Sequence, residues 1–175
     1  MKEKRIAWAI TGAGHLLAEC AERLLCRDNV DIFLSRAAEE VVGMYKLKER
    51  IYNHSAKVYR ETLYSSPLVV RFSQGTYRAL VVAPGTSNSV AKFVHGISDS
   101  LVTNLFAQAG KSRVPIIVLP TDLAPEMIST GPHGDLIKVY PRSVDLENTD
   151  KLRRMAGVTV VASIEEIERC LDTCL

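Results

Sequence analysis

Residues 6–10, Ile-Ala-Trp-Ala-Ile, form an unbroken apolar run that stops at Thr11-Gly12-Ala13-Gly14. A run with no polar alternation is what a strand covered on both faces requires. Beyond the turn the period changes. Leu16, Leu17, Ala21, Leu24 and Leu25 recur at helical spacing, which predicts a helix over 15–25. The same alternation repeats downstream: a strand over 30–34 closed by Ser35-Arg36, then a helix over 37–45. Residues 46–65 carry little pattern except Tyr45, Tyr52 and Tyr59, seven apart, which would stripe one side of a helix. Core packing or a subunit contact explains such a stripe better than an aromatic cofactor box. A short strand is predicted over 66–70 and a buried one over 78–83. The latter ends in Pro84-Gly85-Thr86-Ser87-Asn88-Ser89, a cluster of turn and N-cap residue types. Helices over 90–95 and 99–109 follow, separated at Gly96, then an apolar strand over 114–119 closed by Pro120-Thr121-Asp122. The remainder predicts a loop (123–134), a strand (136–140), a helix (145–155), a short strand (157–161) and a last helix (163–171).

Apolar strands alternating with amphipathic helices specify an α/β fold: a doubly wound, mostly parallel sheet of the Rossmann-like or flavodoxin-like kind, with helices on both faces. No linker, internal repeat or low-complexity stretch interrupts the 175 residues, so a single domain over 1–175 is expected.

Composition narrows the function classes. With 47% hydrophobic and 24% charged residues and a net charge of +2, the chain reads as an ordinary globular protein with no nucleic-acid footprint. The mildly basic stretch of Lys46, Lys48, Arg50, Lys57 and Arg60 is either a solvated face or an attractor for an anionic group. The first apolar run is too short for a secretory core or a membrane span, so a cytoplasmic protein away from membranes is expected. Cys20, Cys26, Cys170 and Cys174 show no CxxC spacing; Cys170 and Cys174 share a helical face, and two thiols do not make a metal site. No metal is expected.

In open parallel sheets, ligands bind beyond the carboxyl ends of the strands. Four strand ends carry polar or glycine-rich turns: Thr11 to Gly14, Ser35-Arg36, Pro84 to Ser89, and Pro120-Thr121-Asp122. All four should meet at one edge. In the first turn, glycines admit an anion to the backbone and the next helix offers unpaired N–H groups, with hydroxyls from Thr11 and Ser35. A tight turn made for packing alone is the alternative there, because neither a Gly-Lys-Ser/Thr nor the third glycine of a dinucleotide fingerprint follows. Thr86, Ser87, Asn88 and Ser89 offer hydroxyls, an amide and backbone donors at one corner, a set suited to the polar edge of a planar heterocycle; a helix cap needs only one of them.

The blocks Val82-Ala83-Pro84-Gly85-Thr86-Ser87-Asn88-Ser89-Val90-Ala91-Lys92 and Gly96-Ile97-Ser98-Asp99-Ser100-Leu101-Val102-Thr103 resemble the signature of the flavoprotein superfamily of homo-oligomeric flavin-containing cysteine decarboxylases. Within it the chain is most similar to the dihydromethanopterin reductase and archaeoflavoprotein branch, through Ala9 to His15, Gln108 to Lys111, Leu119 to Asp122 and Val144 to Asn148. The resemblance implies a bound FMN, a homo-oligomer built on trimers, and electron transfer to a dihydropterin substrate, with NAD(P)H or a ferredoxin as donor. It implies Thr11, Gly12, Ala13, Gly14 and Ser35 near the phosphate and ribityl chain, and Pro84, Gly85, Thr86, Ser87 and Asn88 at the ring system. Ser98, Asp99 and Thr103 would support the ring from the next helix. His15 either meets the phosphate or caps, and Asp122 either touches the cofactor or caps its loop.

Departures separate the branches. Decarboxylase-like members carry a histidine on the strand before the signature turn, where Val70 stands here beside Arg71, and residues 123–135 hold no cysteine. Decarboxylation is therefore disfavoured. Prenyl transfer, an electron carrier without pterin turnover, and a flavin-free nucleotide-binding domain remain as rivals. Of the other histidines, His95 suits the dipole end of a helix, His133 lies on a loop where substrate contact is open, and His54 has no evident partner.

Overall fold

In the computed structural model, which describes residues 4–61 and 66–173, the unbroken apolar runs are central strands. β1 (Arg5–Ile10), β2 (Val30–Leu34), β4 (Tyr77–Gly85) and β5 (Ile116–Pro120) are buried almost throughout. With β3 (Lys57–Arg60) and β8 (Val158–Val160) they form a wholly parallel sheet in the order β3-β2-β1-β4-β5-β8. Side chains alternate across it: Ile6, Trp8 and Ile10 enter one core, Ala7 and Ala9 the other. The first core is covered by α1 (Leu17–Leu25), α2 (Arg36–Met44), α3 (Lys48–Tyr52) and α8 (Ile164–Thr173), through residues such as Leu17, Val42, Ile51 and Leu171. The second is covered by α4 (Ser66–Ser73), α5 (Ser87–Val94), α6 (Leu101–Lys111) and α7 (Ser143–Arg153), through Phe72, Phe93, Leu105 and Leu152. The doubly wound architecture is therefore as expected. Successive strands add leftward from β1 to β3 and rightward from β4 to β8, so the direction of winding reverses between β1 and β4. That crevice is where such sheets take ligands.

Three expectations fail locally. Residues 66–70 are not a strand but the start of α4, and Val70 is 48% exposed on it, so the match of Val70 to a strand histidine has no structural counterpart. Ser-Pro suits a helix start, and Leu68, Val69 and Phe72 are spaced to bury one helical face against the second core. The tyrosine stripe is not a helix face either. Tyr45 ends α2, Tyr52 ends α3, and Tyr59 lies in β3, where it stacks on Phe33 with ring centroids 5.0 Å apart. The Tyr59 hydroxyl accepts from Arg71, which also lies 3.5 Å from the buried carboxylate of Asp31. Finally, the strand expected over 136–140 does form, but outside the main sheet, and the loop expected over 123–134 holds a second short strand. β7 (Leu136–Val139) pairs antiparallel with β6 (Met127–Thr130), which falls in the expected loop; each is only four residues and partly exposed, too short to give a period.

Among the described residues, no helix is long and apolar enough to cross a membrane. Cys20 is buried and Cys26 exposed, both as free thiols, and Cys174 lies outside the described residues.

Candidate functional site

The crevice between β1 and β4 is closed by Thr11. Its Oγ1 donates to the carbonyl of Pro84 (2.8 Å) and accepts from the N–H of Thr86 (2.8 Å), while its own N–H also reaches Pro84 O (3.2 Å). Thr11 is 2% exposed, so these bonds form in a low-dielectric setting. Gly85 O accepts in turn from the N–H and Oγ1 of Thr121 (2.9 and 3.4 Å). Three of the four turns are thus tied edge to edge.

Above them opens a cavity of about 400 Å³. Its walls include Ser35, Thr86 and Ser100, which are the N-cap residues of α2, α5 and α6. The Ser35 hydroxyl accepts from Ala38 N (3.1 Å), that of Thr86 from Ser89 N (3.3 Å), and that of Ser100 from Thr103 N (3.3 Å). Three helix dipoles therefore point their positive ends into one space. Each capping hydroxyl accepts from its own helix. Among the described residues no protein acceptor takes the Ser35 hydroxyl hydrogen, which leaves it for a ligand.

The expected site residues divide into three groups. Thr11, Gly12, Ser35, Thr86 and Asn88 line the cavity. Ala13, Pro84 and Gly85 are buried behind it as framework, Gly14 packs under the phenol of Tyr45, and Ser87 opens α5. Ser98, Asp99, Thr103, His15 and Asp122 lie elsewhere. Ser98 and Thr103 line a neighbouring cavity, and the Thr103 hydroxyl is occupied by the α6 capping box, accepting from Ser100 N at 2.8 Å. Asp99 is exposed and holds Lys92 through both carboxylate oxygens at 2.9 Å, which keeps its carboxyl below the usual range. His15 sits in the turn before α1, which begins at Leu17. Burial pushes its imidazole below the ordinary value, against the charges of Glu19 and Asp122.

Gly12 meets the packing explanation of its turn directly. A Cβ there would stand 2.5 Å from the Cβ of Ala37, so the turn rests against the first residues of α2.

Arg36 and Ser89 fall in turns already expected at this edge, whereas Ala37, Glu40, Glu61, Lys92 and Ser100 are wall residues that the sequence did not single out. Ser100 carries a local signal, a serine three residues before Thr103 at the head of an apolar run. Glu61 has none. Its carboxylate accepts from Arg36 N (2.9 Å) and Leu101 N (3.2 Å), bridging the first turns of α2 and α6 across 25 and 40 residues of sequence. It is an internal anion at two helix N-termini. Arg36 and Lys92 are the cationic residues of the same wall, the Lys92 ammonium held by Asp99.

A family profile described as Flavoprotein matches residues 1–175. The chain belongs to the flavoprotein family. An uncharacterised protein of Methanocaldococcus jannaschii is 37% identical over 174 residues, 95% of this chain and 94% of the relative. A dihydromethanopterin reductase (acceptor) of Methanosarcina mazei is 44% identical over 147 residues, 77% of this chain. The match spans only 62% of that reductase's length. Among solved structures, Burkholderia xenovorans DmrB in complex with FMN, described as a cubic protein cage for redox transfer, superposes with a TM-score of 0.88. It is 38% identical, covering 98% of this chain and 95% of DmrB.

Proposed function

We propose that this chain binds FMN in the cavity between β1 and β4 and works as an oxidoreductase that reduces a dihydropterin of the dihydromethanopterin type. The observation that carries the reading is the convergence of the Ser35, Thr86 and Ser100 N-caps on one cavity at the switch point of the sheet. A phosphorylated ligand suits three positive dipole ends, the Ser35 hydroxyl and the cation Arg36. Bound FMN supplies the redox chemistry, accepting electrons from a donor and passing them to the acceptor. The protein's part is placement. Gly12 and Ser35 receive the phosphate end, while Thr86 and Asn88 present hydroxyl and amide groups to the polar edge of the ring. Thr11 holds the two turns in register. Glu61 places a negative charge in the same cavity, suited to accepting ribityl hydroxyls and unfavourable to a second anion.

NAD(P)H or a ferredoxin is the donor in this reading, and the protein acts in the cytoplasm as a trimer-based homo-oligomer. The β6–β7 ribbon supports the assembly, because Ile128, Leu136, Ile137 and the adjoining Tyr140 are exposed apolar side chains on one projecting element.

The experiment is an anaerobic absorbance titration of the protein after incubation with FMN. A bound-flavin spectrum that bleaches with NADH, NADPH or reduced ferredoxin and recovers on dihydromethanopterin is expected. A flavin that cycles with donors and ignores the pterin would make the chain an electron carrier. No flavin uptake would end the reading.

A further inference from the structure

Two more cavities lie in series with the first along α6. Lys92 is a wall of both the cofactor cavity and an apolar cavity of about 310 Å³. Phe93, Ile97, Phe106 and Met155 supply its apolar surface, and Phe93 and Phe106 stack with ring centroids 4.0 Å apart and planes 7° apart. Thr103, Ala107, Gly110 and Lys111 form a stripe of α6 along it, spaced to share one helix face. At the helical rise, Thr103 to Lys111 covers about 12 Å. Lys111 is then shared with a third cavity of about 470 Å³, whose charged wall residues are Lys4, Arg78, Lys111 and Arg113, with no acidic residue among them.

That basic end carries two further irregularities. Arg113 has φ 54, in the left-handed region, at the position after the α6 C-cap where glycine is usual. Bonds from Arg113 N to Gly110 O (3.1 Å) and from Val114 N to Ala109 O (2.9 Å) close the helix end around it. A backbone outlier that glycine would relieve, held instead by a cation on a basic cavity, points to use of the side chain. Arg78 donates to Leu171 O at 2.8 Å, yet its buried Nε has no hydrogen-bond partner among the described residues. The basic stretch expected to attract an anionic tail is less suited, since Arg50 and Arg60 face Glu22 and Glu39 at 3.7 and 3.8 Å.

We propose that the flank of α6 is the acceptor site: the flat dihydropterin ring enters the apolar cavity beside Lys92, and its anionic tail lies in the basic cavity of Lys4, Arg78, Lys111 and Arg113. This rests on the dihydropterin-reductase reading above. It also gives the Gly96–Thr103 signature block a role, because Gly96, Ile97, Ser98 and Thr103 border the ring cavity instead of the FMN cavity. A small, mostly apolar cavity with a few polar groups at its rim is the usual form of a site for a planar ligand.

The test measures equilibrium binding of dihydromethanopterin and of a tail-less 7,8-dihydropterin to the FMN-loaded protein, by ligand fluorescence. Gly110→Leu plugs the ring cavity. A Cβ at Gly110 meets nothing within 4 Å and leucine is the better helix former, so the variant should fold. It should weaken both ligands by about tenfold or more and leave FMN affinity unchanged. Arg113→Gly should weaken dihydromethanopterin by about tenfold, spare the tail-less pterin, and raise the thermal midpoint. Unchanged pterin binding in Gly110→Leu would overturn the ring site, and loss of FMN there would assign that cavity to the cofactor and overturn it too. Unchanged dihydromethanopterin binding in Arg113→Gly would overturn the tail site. If the FMN-loaded wild type binds neither pterin, the acceptor reading itself fails and this inference with it.

Discussion

The hydroxyl of Thr11 lies 2.8 Å from the carbonyl oxygen of Pro84, a bond across 73 residues of sequence that fastens the end of β1 to the end of β4. Because Thr11 Oγ1 also accepts from Thr86 N, one buried hydroxyl sets the spacing of two turns and the start of α5. Thr11→Val keeps the shape and removes the hydroxyl. It should cost about 1–3 kcal/mol in a urea unfolding experiment, since the Thr86 N–H is left without its acceptor. FMN affinity should fall with it, read by flavin fluorescence.

Gly12 and Ala37 form a matched pair. Gly12→Ala forces a methyl to within 2.5 Å of the Ala37 Cβ and should destabilise by about 1–3 kcal/mol. Adding Ala37→Gly should recover most of the loss, and a double-mutant cycle in urea measures the coupling. Additive effects would show that the contact does not govern the turn.

Glu61 tests the charge of the cavity. Glu61→Gln keeps one acceptor oxygen at the helix N-termini and removes the negative charge. FMN should bind about tenfold tighter relative to riboflavin, which lacks the phosphate, and the gain should shrink as salt rises. An unchanged ratio of the two affinities would remove Glu61 from the neighbourhood of the phosphate.

His15 gives a pH signature. Burial lowers its folded value below the ordinary 6.5, so the unfolded chain binds more protons between the two values. Its contribution to stability is complete above the unfolded value, declines as pH falls below 6.5, and levels off beneath the folded value. Urea midpoints measured from pH 7.5 downward should therefore fall less steeply for His15→Gln than for the wild type. Parallel profiles would exclude His15 as a source of the slope.

The central strands were legible because each is buried on both faces, which leaves an unbroken apolar run. The signature turns were legible because strand ends, N-caps and glycines are local chemistry. β3 and α4 were not. β3 is a four-residue edge strand with exposed lysine and arginine at its ends, and it becomes a strand by pairing Asp31 to Leu34 of β2 with Lys57 to Arg60. α4 buries Leu68, Val69 and Phe72, and five residues of it, read alone, fit strand and helix equally.

The sequence by itself determined the α/β alternation, the carboxyl-end turns and the family, because these depend on neighbours within a few residues and on motifs. Only the tertiary structure decided which polar side chains share a cavity. Asp99 and Thr103 spend their groups on Lys92 and on the α6 cap, while Glu61, remote in sequence and without a motif, reaches two helix N-termini at once. A buried backbone N–H takes whichever acceptor the packed fold brings within about 3 Å, and that partner is set by the sheet order, not by distance along the chain.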